Sequence, residues 1–176
     1  MNQQQIKFYS KSSKYFEFSN FYITPMPIVI DINGIQEPFK TTEHYYQAMK
    51  YYVPQSAEHM NIFRQIQFAK TPTEAFYLGK FLKGKFEWID ELIVKNKGLT
   101  VRNDWDTDKI VVMCKAIHAK FTQNPVLSQM LIKTGKAELI ENSPYDTFWG
   151  IGRKGDGQNQ LGKLLMELRD ELRKGI

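Results

Sequence analysis

The sequence predicts an α+β fold that is mainly helical, with a small N-terminal β-hairpin or sheet. Extended apolar runs occur within the first forty residues, whereas helical spacing and helix-capping motifs occur from residue 41 onward. The length of 176 residues, of which 42% are hydrophobic and 14% aromatic, is enough for one hydrophobic core. We therefore expect a single domain spanning residues 1–176, without internal repeats or linkers.

The N-terminal sheet is predicted from three extended segments. Residues 6–9, 27–32 and 35–39 are rich in β-branched or aromatic side chains, which favour strands. The dipeptide Asn33-Gly34 separates the last two segments, and both of its residues tolerate a positive φ. The sequence therefore predicts a hairpin between residues 27 and 39.

Capping residues mark the starts of the helices. Thr41 or Thr42 can cap a first helix. Residues 71–74, Thr-Pro-Thr-Glu, combine a cap, a first-turn proline and a capping-box glutamate, which predicts a helix that ends near Gly84. A further helix is predicted to start at Asn124-Pro125 and to stop at Gly135. Helical spacing indicates two more faces, one of Ile62, Phe63, Ile66 and Ala69 and one of Val112, Ala116, Ala119 and Lys120. A last helix over residues 160–174 is indicated by Leu161, Leu164, Leu165 and Leu168.

A reducing compartment is expected because Cys114 is the only cysteine and cannot form an intramolecular disulfide. Cys114 follows the apolar residues 110–113, which favours a buried small side chain over a nucleophile. Met1 is followed by four polar, uncharged residues, and no apolar run approaches the ~20 residues of a membrane span. The sequence thus predicts a cytoplasmic, soluble protein with no membrane partner.

The net charge is +5, from 24 basic and 19 acidic residues, and it mildly favours anionic partners. Phosphate-bearing ligands and nucleic acid both fit this charge. The basic side chains are scattered among acidic ones, so a mixed solvated surface is favoured over a dedicated DNA-binding face. His44, His59 and His118 lack the spacing of metal ligands, and we expect no metal or other cofactor.

Three polar side chains share one stripe of the first predicted helix. Glu43, Gln47 and Lys50 occupy positions i, i+4 and i+7, which point the same way on a helix. A carboxylate, an amide and an amine on one stripe can carry chemistry, but on spacing alone an ordinary amphipathic helix is the better explanation. His44 points about 100° away from Glu43, which predicts a supporting role rather than direct catalysis.

A second candidate region is the glycine-rich segment 141–163. Residues 150–155 match a dinucleotide fingerprint by letter, but a poor strand precedes them and too few residues follow for a βαβ unit. Residues 157–163 have phosphate-loop spacing, yet Leu164 stands where a magnesium-binding Ser or Thr is needed. What remains is a loop before a helix, which can offer N–H groups to a phosphate, with Trp149 as a flat surface for a base or sugar. A plain turn with Trp149 in the core is an equally good interpretation.

Short motifs in a fixed order extend over nearly the whole chain. They are Phe8-Tyr9-Ser10, Phe18-Ser19-Asn20-Phe21, residues 42–48 (Thr-Glu-His-Tyr-Tyr-Gln-Ala) with Lys50, Asn103-Asp104-Trp105, Val112-Met113, Ala119-Lys120-Phe121, Asp146 with Trp149-Gly150, Gly157 with Asn159 and Leu161-Gly162, and Leu165-Met166 with Leu168-Arg169. Through these motifs the chain resembles the YbiA/NADAR family of N-glycosidases. One departure is Gly79-Lys80, where the family often has Gly-Arg; lysine keeps the charge but loses the bidentate geometry of arginine.

The resemblance implies cleavage of an N-glycosidic bond at a ribosyl group. Two substrate classes follow from it: phosphoribosylated pyrimidine intermediates of riboflavin synthesis, and ADP-ribose attached to guanine, including guanine in DNA. Such cleavage builds positive charge at the anomeric carbon, which a carboxylate such as Glu43 would stabilise. A position in the first helical turn favours the ionised form of Glu43. The resemblance makes Lys50 the expected covalent residue, through a Schiff base with an opened sugar.

Two aspects of this chemistry stay open at the level of sequence. An ionised Glu43 would raise the pKa of Lys50 and oppose nucleophilicity, unless burial outweighs the pairing. Direct attack by water is therefore an alternative to the covalent route. Asp146 is expected to support the sugar hydroxyls as a third catalytic residue, although an aspartate in such a segment more often forms a turn or cap.

The family pattern also implies a set of substrate-binding residues. Asn20 would contact ribose hydroxyls or a base edge, and Asn159 would cap the last helix beside a phosphate. The other expected substrate-binding residues are Gln47, Trp149, Gly150 and Lys80. Two other functions are a non-catalytic sensor of ADP-ribose-like nucleotides and a nucleic-acid-binding module. The presence of both Glu43 and Lys50 favours the enzyme, because a binding protein needs neither.

Overall fold

The computed structural model describes residues 4–11 and 13–175. Contacts divide the chain into two compact units: unit 1 contains the described residues of 1–22 and 120–176, and unit 2 contains residues 23–119. In chain order, the described elements are β1 (Gln5–Phe8), a 3₁₀ turn (Phe16–Phe18), β2 (Ile28–Ile32), β3 (Ile35–Phe39), α1 (Thr42–Met49), α2 (Ala57–Gln67), α3 (Pro72–Gly79), α4 (Glu87–Lys95), α5 (Trp105–Thr122), α6 (Pro125–Lys133), β4 (Glu138–Glu141) and α7 (Gln160–Lys174). The predicted fold class, α+β and mainly helical, is confirmed.

The predicted hairpin is present in unit 2. Strands β2 and β3 pair in antiparallel fashion with Ile32 opposite Ile35. Asn33 and Gly34 form the turn between them with φ angles of 53° and 86°, which is the backbone geometry that this dipeptide favours.

The N-terminal strand does not join this hairpin, which corrects the expectation of one small sheet. Strand β1 instead pairs in parallel with β4, with Gln5 opposite Glu138 and Phe8 opposite Glu141. The sequence analysis missed β4 because four residues are too few to establish an alternating pattern. Within unit 1, Phe8 and Phe18 pack edge to face, with ring centroids 5.8 Å apart, and Leu139 of β4 is fully buried.

Two further corrections concern helices of unit 2. Helix α3 ends at Gly79 rather than near Gly84, because Phe81 has a left-handed backbone with φ of 50°, which a helix cannot continue through. The additional helix α4 was not predicted, although its Ile89 and Ile93 are buried at i and i+4 spacing.

Cys114 is exposed, so the prediction of a buried cysteine is wrong. Helix α5 turns Met113 and Ala116 inward, and the 100° step from Met113 to the next residue carries Cys114 to the outer surface. An apolar run along the sequence was therefore a poor guide to burial on a helix.

Helix α1 is the best-buried element of unit 2, because all eight of its residues are buried. Phe39 of β3 lies against Tyr45 of α1 and Phe63 of α2, with ring centroids 5.1 and 6.3 Å away. The N-terminus of α1 is capped as predicted, since the Thr41 hydroxyl oxygen accepts a hydrogen bond from the backbone N–H of His44.

No helix within the described residues has the length and apolar character needed to cross a membrane.

Candidate active site

The stripe of Glu43, Gln47 and Lys50 on α1 is confirmed as a set of neighbouring side chains. Gln47 Nε2 donates a hydrogen bond of 2.7 Å to Glu43 Oε1. The three residues are only 5%, 1% and 8% exposed, respectively. Burial of a carboxylate, an amide and an amine costs free energy unless they are paired, so an ordinary solvated helix face is not the explanation for this stripe.

Glu43 lies in the first turn of α1, directly after the Thr41 cap. The N–H groups of this turn and the positive end of the helix dipole favour a negative charge there. The Gln47 amide adds a hydrogen bond that only an acceptor can receive. Both features support an ionised Glu43 carboxylate rather than a proton donor.

The Lys50 amine is enclosed by aromatic rings and one carbonyl. Its Nζ donates to the backbone oxygen of Gly79 at 3.4 Å. It also lies 5.5 Å from the ring centroid of Tyr46 and 5.9 Å from that of Trp105. Burial in this site lowers the pKa of Lys50 to about 8, while the Glu43 charge raises it and the Lys80 charge lowers it. Burial therefore outweighs the pairing with Glu43, and roughly a tenth of the amine is neutral at pH 7.

Gly79 brings the end of α3 against the stripe. A Cβ built on Gly79 would lie 2.6 Å from Gln47 Cβ and 2.9 Å from Gln47 Cδ, so only glycine fits. The Gly79 carbonyl oxygen accepts hydrogen bonds from both the Lys50 amine and the Tyr51 hydroxyl, each at 3.4 Å. Within the described part of the chain, the buried Gln47 Oε1 has no hydrogen-bond partner, so the stripe retains one unused acceptor.

Lys80 follows Gly79 at the C-cap of α3 and is exposed. Its Nζ lies 4.5 Å from the ring centroid of Phe76. Unit 2 thus gathers four of the predicted site residues, which are Glu43, Gln47, Lys50 and Lys80.

His44 holds α1 in place from a face of the helix about 100° away from Glu43. Its Nε2 lies 3.2 Å from the carbonyl oxygen of Ala69, which can only accept, so Nε2 carries the hydrogen. Its Nδ1 then accepts from the Thr41 hydroxyl at 2.8 Å. Burial lowers the pKa of His44 to about 4, so the ring is neutral at physiological pH. This geometry fits the predicted supporting role.

Asp146 and Trp149, in unit 1, form a turn. Asp146 Oδ1 accepts hydrogen bonds from the backbone N–H groups of Phe148 and Trp149, at 2.9 and 2.7 Å. Trp149 is buried, and its ring meets the edge of Phe148 with centroids 4.9 Å apart. One oxygen of Asp146 therefore builds the turn that carries Trp149.

Several N–H groups of the glycine-rich loop bind carbonyls of the loop itself, so these groups are not available to a phosphate. The N–H of Gly157 donates to Ile151 O at 2.8 Å, and that of Asn159 to Gly150 O at 3.1 Å. The N–H groups of residues 158, 160 and 161 also bind carbonyls of the preceding turn. Gly150 is required for this folding, because a Cβ there would lie 2.7 Å from the carbonyl oxygen of Glu141. The loop thus closes on itself at residues 157–161.

Asn159 does not cap α7 with its side chain, so that prediction is wrong. Its Oδ1 accepts from the N–H of Glu141 at 3.0 Å, and its Nδ2 donates to Leu139 O at 2.8 Å. Gly162, in the first turn of α7, leaves room for this amide, since a Cβ there would lie 2.6 Å from either polar atom. The Asn159 side chain therefore joins α7 to β4.

Asn20 is buried in unit 1, and the residue before it, Ser19, binds a lysine that the sequence analysis did not single out for function. Lys120 Nζ donates to the carbonyl oxygen of Ser19 at 2.9 Å, and Lys120 is only 1% exposed. Burial lowers the pKa of Lys120 to about 7, against the raising effect of Glu17 and Glu141. The sequence did contain one sign of this buried amine, because Lys120 continues the apolar face of Val112, Ala116 and Ala119 on α5.

The rings and the carbonyl around Lys50 were also missed. Tyr46 lies one helical turn before Lys50, whereas Gly79 and Trp105 are far along the chain, and only folding brings those two to the Lys50 amine. Among the described residues, no group of three or more His, Cys, Asp or Glu side chains is arranged to hold a metal ion.

Comparison with known proteins places this chain among relatives with named activities. The "Riboflavin biosynthesis protein PYRR, chloroplastic" of Zea mays is 40% identical over 169 residues, which are 95% of this chain and 25% of the maize protein, so the chain spans about a quarter of that relative. "N-glycosidase YbiA" of Escherichia coli is 35% identical over 172 residues, covering 98% of this chain and 91% of that protein. "N-glycosidase Npun_R5314" of Nostoc punctiforme is 37% identical over 96% of this chain and 92% of its own length.

A solved structure and a family model extend these similarities to nearly the whole chain. The NMR structure of the E. coli protein YbiA superposes with a TM-score of 0.74 at 32% identity, covering 99% of this chain and 88% of that one. The model of the NADAR domain matches residues 7–173, which include Glu43, Lys50 and Asp146. With this coverage, and with relatives of about its own length, the chain belongs to the NADAR domain family.

Proposed function

We propose that the protein is an N-glycosidase that hydrolyses the C–N bond between a ribosyl group and a base in a nucleotide-like substrate. The observation that carries this proposal is the buried pairing of Glu43 and Gln47 beside a Lys50 amine of lowered pKa. The names of the YbiA and Npun_R5314 relatives support the same reaction class. A sensor of ADP-ribose-like nucleotides gains less support, because binding alone does not require a partly neutral, buried amine.

Glu43 stabilises the positive charge that develops on the sugar as the C–N bond breaks. Its ionised form is favoured by the first turn of α1, and the Gln47 amide fixes one of its oxygens. Gln47 Oε1 is buried against Gly79, so Gln47 acts on the substrate through the Glu43 oxygen that its amide nitrogen holds.

Lys50 provides a covalent route for a ring-opened sugar. The neutral amine adds to C1, the bond from C1 to the base nitrogen breaks, and the base leaves with the protons that the amine gives up. Water then hydrolyses the Lys50 imine, which releases the sugar aldehyde and regenerates the amine. The lowered pKa of Lys50 supports this route over direct attack by water, because it supplies the neutral nucleophile.

Two substrate classes belong to the proposal: a phosphoribosylated amino-pyrimidine, and ADP-ribose on guanine in DNA or in a small molecule. The riboflavin name of the maize relative supports the first class. Lys80 at the edge of the stripe is suited to a phosphate of either one. The binding roles of Asn20, Trp149, Gly150 and Asn159, the single-domain organisation and the cytoplasmic location remain predictions.

The proposal is tested by incubating the protein separately with the phosphoribosylamino-pyrimidine and with ADP-ribosylated guanine DNA, and measuring the free base. We expect release from one substrate, lost in both Glu43→Ala and Lys50→Ala. Full activity in Glu43→Gln would overturn the role of the carboxylate, and no release from either substrate would overturn the function.

A further inference from the structure

Arg102 binds the end of the helix that carries Lys50. Its backbone N–H donates to the carbonyl oxygen of Lys50 at 3.0 Å, and its Nε donates to that of Met49 at 3.0 Å. The last carbonyls of a helix have no partner within the helix, and a cation at this end is favourable. Arg102 therefore completes the C-terminus of α1 from a distant part of the chain.

Two carboxylates fix the orientation of the Arg102 guanidinium. Its NH1 donates to Asp104 Oδ2 at 2.8 Å, and its NH2 forms an ion pair with Asp108 Oδ2. The side chain of Arg102 is 13% exposed, so water competes little with these bonds. Asp108 lies in the first turn of α5, and the guanidinium thereby joins α5 to α1.

Arg102 also lies on the ring that covers the Lys50 amine. The guanidinium carbon is 5.4 Å from the ring centroid of Trp105, and the backbone N–H of Trp105 donates to the carbonyl oxygen of Arg102 at 3.1 Å. The same ring is 5.9 Å from Lys50 Nζ and packs on Tyr46, with centroids 4.9 Å apart. One residue thus holds both the backbone at the end of α1 and the aromatic wall of the Lys50 amine.

We infer that Arg102 is a positioning residue for Lys50, which keeps the amine against Trp105 and the Gly79 carbonyl and away from water. The inference rests on the proposed function only for its catalytic consequence. The charged groups that act on the Lys50 amine are Glu43 on α1 and Lys80 at the end of α3. The Arg102 side chain instead bonds to Met49, Asp104 and Asp108.

The test is the pH dependence of Lys50 labelling in the free protein. An amine-reactive acetylating reagent is applied across pH 6–11, and the modified fraction of Lys50 is measured by peptide mass spectrometry. In Arg102→Met, water reaches the amine, and the weaker burial raises the pKa of Lys50. The labelling midpoint should therefore move upward from about 8 by about one unit or more.

Arg64→Met is the matched control. Arg64 forms a bidentate ion pair with Glu37 at 2.6 and 2.7 Å in the same unit, between α2 and β3. Its loss removes a comparable pair without touching the residues that surround Lys50, so its midpoint should equal that of the wild type. An unchanged midpoint in folded Arg102→Met, or an equal shift in Arg64→Met, would overturn the inference.

If Arg102→Met does not fold, Asp108→Asn tests the positioning role of Arg102 instead. It retains Arg102 but weakens its ion pair, and the midpoint should move in the same direction by a smaller amount. No shift in this variant would also overturn the inference. Because labelling needs no substrate, a shifted midpoint together with no base release by the wild type would refute the proposed function and leave the positioning role intact.

Discussion

The Gln47 side chain lies directly against the backbone of Gly79, so that no side chain fits between α1 and α3 at this point. Gln47 Nε2 also donates a hydrogen bond of 2.7 Å to Glu43 Oε1, and the Gly79 carbonyl oxygen accepts one from the Lys50 amine. The contact between Gln47 and Gly79 therefore sets the spacing of both proposed catalytic groups.

Gly79→Ala should damage the site. The added methyl overlaps Gln47, and relief of the overlap must move either the amide or the end of α3. We expect unfolding free energy to fall by about 1–3 kcal/mol and base release to fall by roughly tenfold or more. Gly175→Ala is the control, since its nearest contact would be Leu172 O at 4.0 Å, and it should behave as the wild type. Equal behaviour of the two variants would contradict this account.

Gln47→Met should destabilise the protein because it leaves the buried Glu43 carboxylate without its amide donor. We expect a loss of about 1–3 kcal/mol in the free energy of unfolding, measured in denaturant at pH 7. Gln36→Met removes a similar hydrogen bond, of 2.8 Å to Asp31, at an exposed site and should cost less than about 0.5 kcal/mol. A smaller loss in Gln47→Met than in Gln36→Met would show that the Glu43 pairing does not matter for stability.

The covalent route predicts a specific pH dependence of kcat/KM, which reports the pKa values of the free enzyme. The neutral Lys50 amine is the nucleophile, so kcat/KM should rise with pH through about 8. Lys80 lowers the pKa of Lys50, and Lys80→Met should therefore shift this midpoint to higher pH. Lys83→Met removes a lysine that does not figure among the causes of the shift and should leave the midpoint in place. A midpoint that is the same in all three proteins would exclude the Lys80 effect.

The two possible roles of Asp146 can be separated by one pair of substitutions. Asp146→Asn keeps an oxygen that accepts from the N–H groups of Phe148 and Trp149, whereas Asp146→Ala loses it. We expect the Asn variant to melt near the temperature of the wild type. The Ala variant should melt at a lower temperature, because it loses about 0.5–2 kcal/mol in the free energy of unfolding. If the carboxylate also serves the sugar, base release should fall in both. Full activity in Asp146→Asn would leave Asp146 with the turn alone.

The stripe on α1 could be predicted from the sequence because its determinants are local. Thr41 caps a helix that starts within two residues, and the i, i+4, i+7 spacing fixes which side chains face together. The hairpin was predictable for the same reason, since Asn33-Gly34 specifies its own turn.

The environment of Lys50 depends on contacts that no local pattern encodes. Its acceptor Gly79 is 29 residues away, and the burial of Lys50 decides the direction of the pKa shift that the sequence left open. Asn159 was misassigned for a related reason: its partner Leu139 lies 20 residues earlier, in a strand too short to recognise. Long-range packing, rather than helix spacing, converts the polar stripe into a candidate active site.

Reductive trapping of Lys50 tests the central claim most directly. The protein is incubated with each proposed substrate in the presence of borohydride, and the modified peptide is identified by mass spectrometry. The account predicts a sugar adduct on Lys50 that is absent from Lys50→Ala and from a reaction without substrate. Release of free base with an unmodified Lys50 would contradict it.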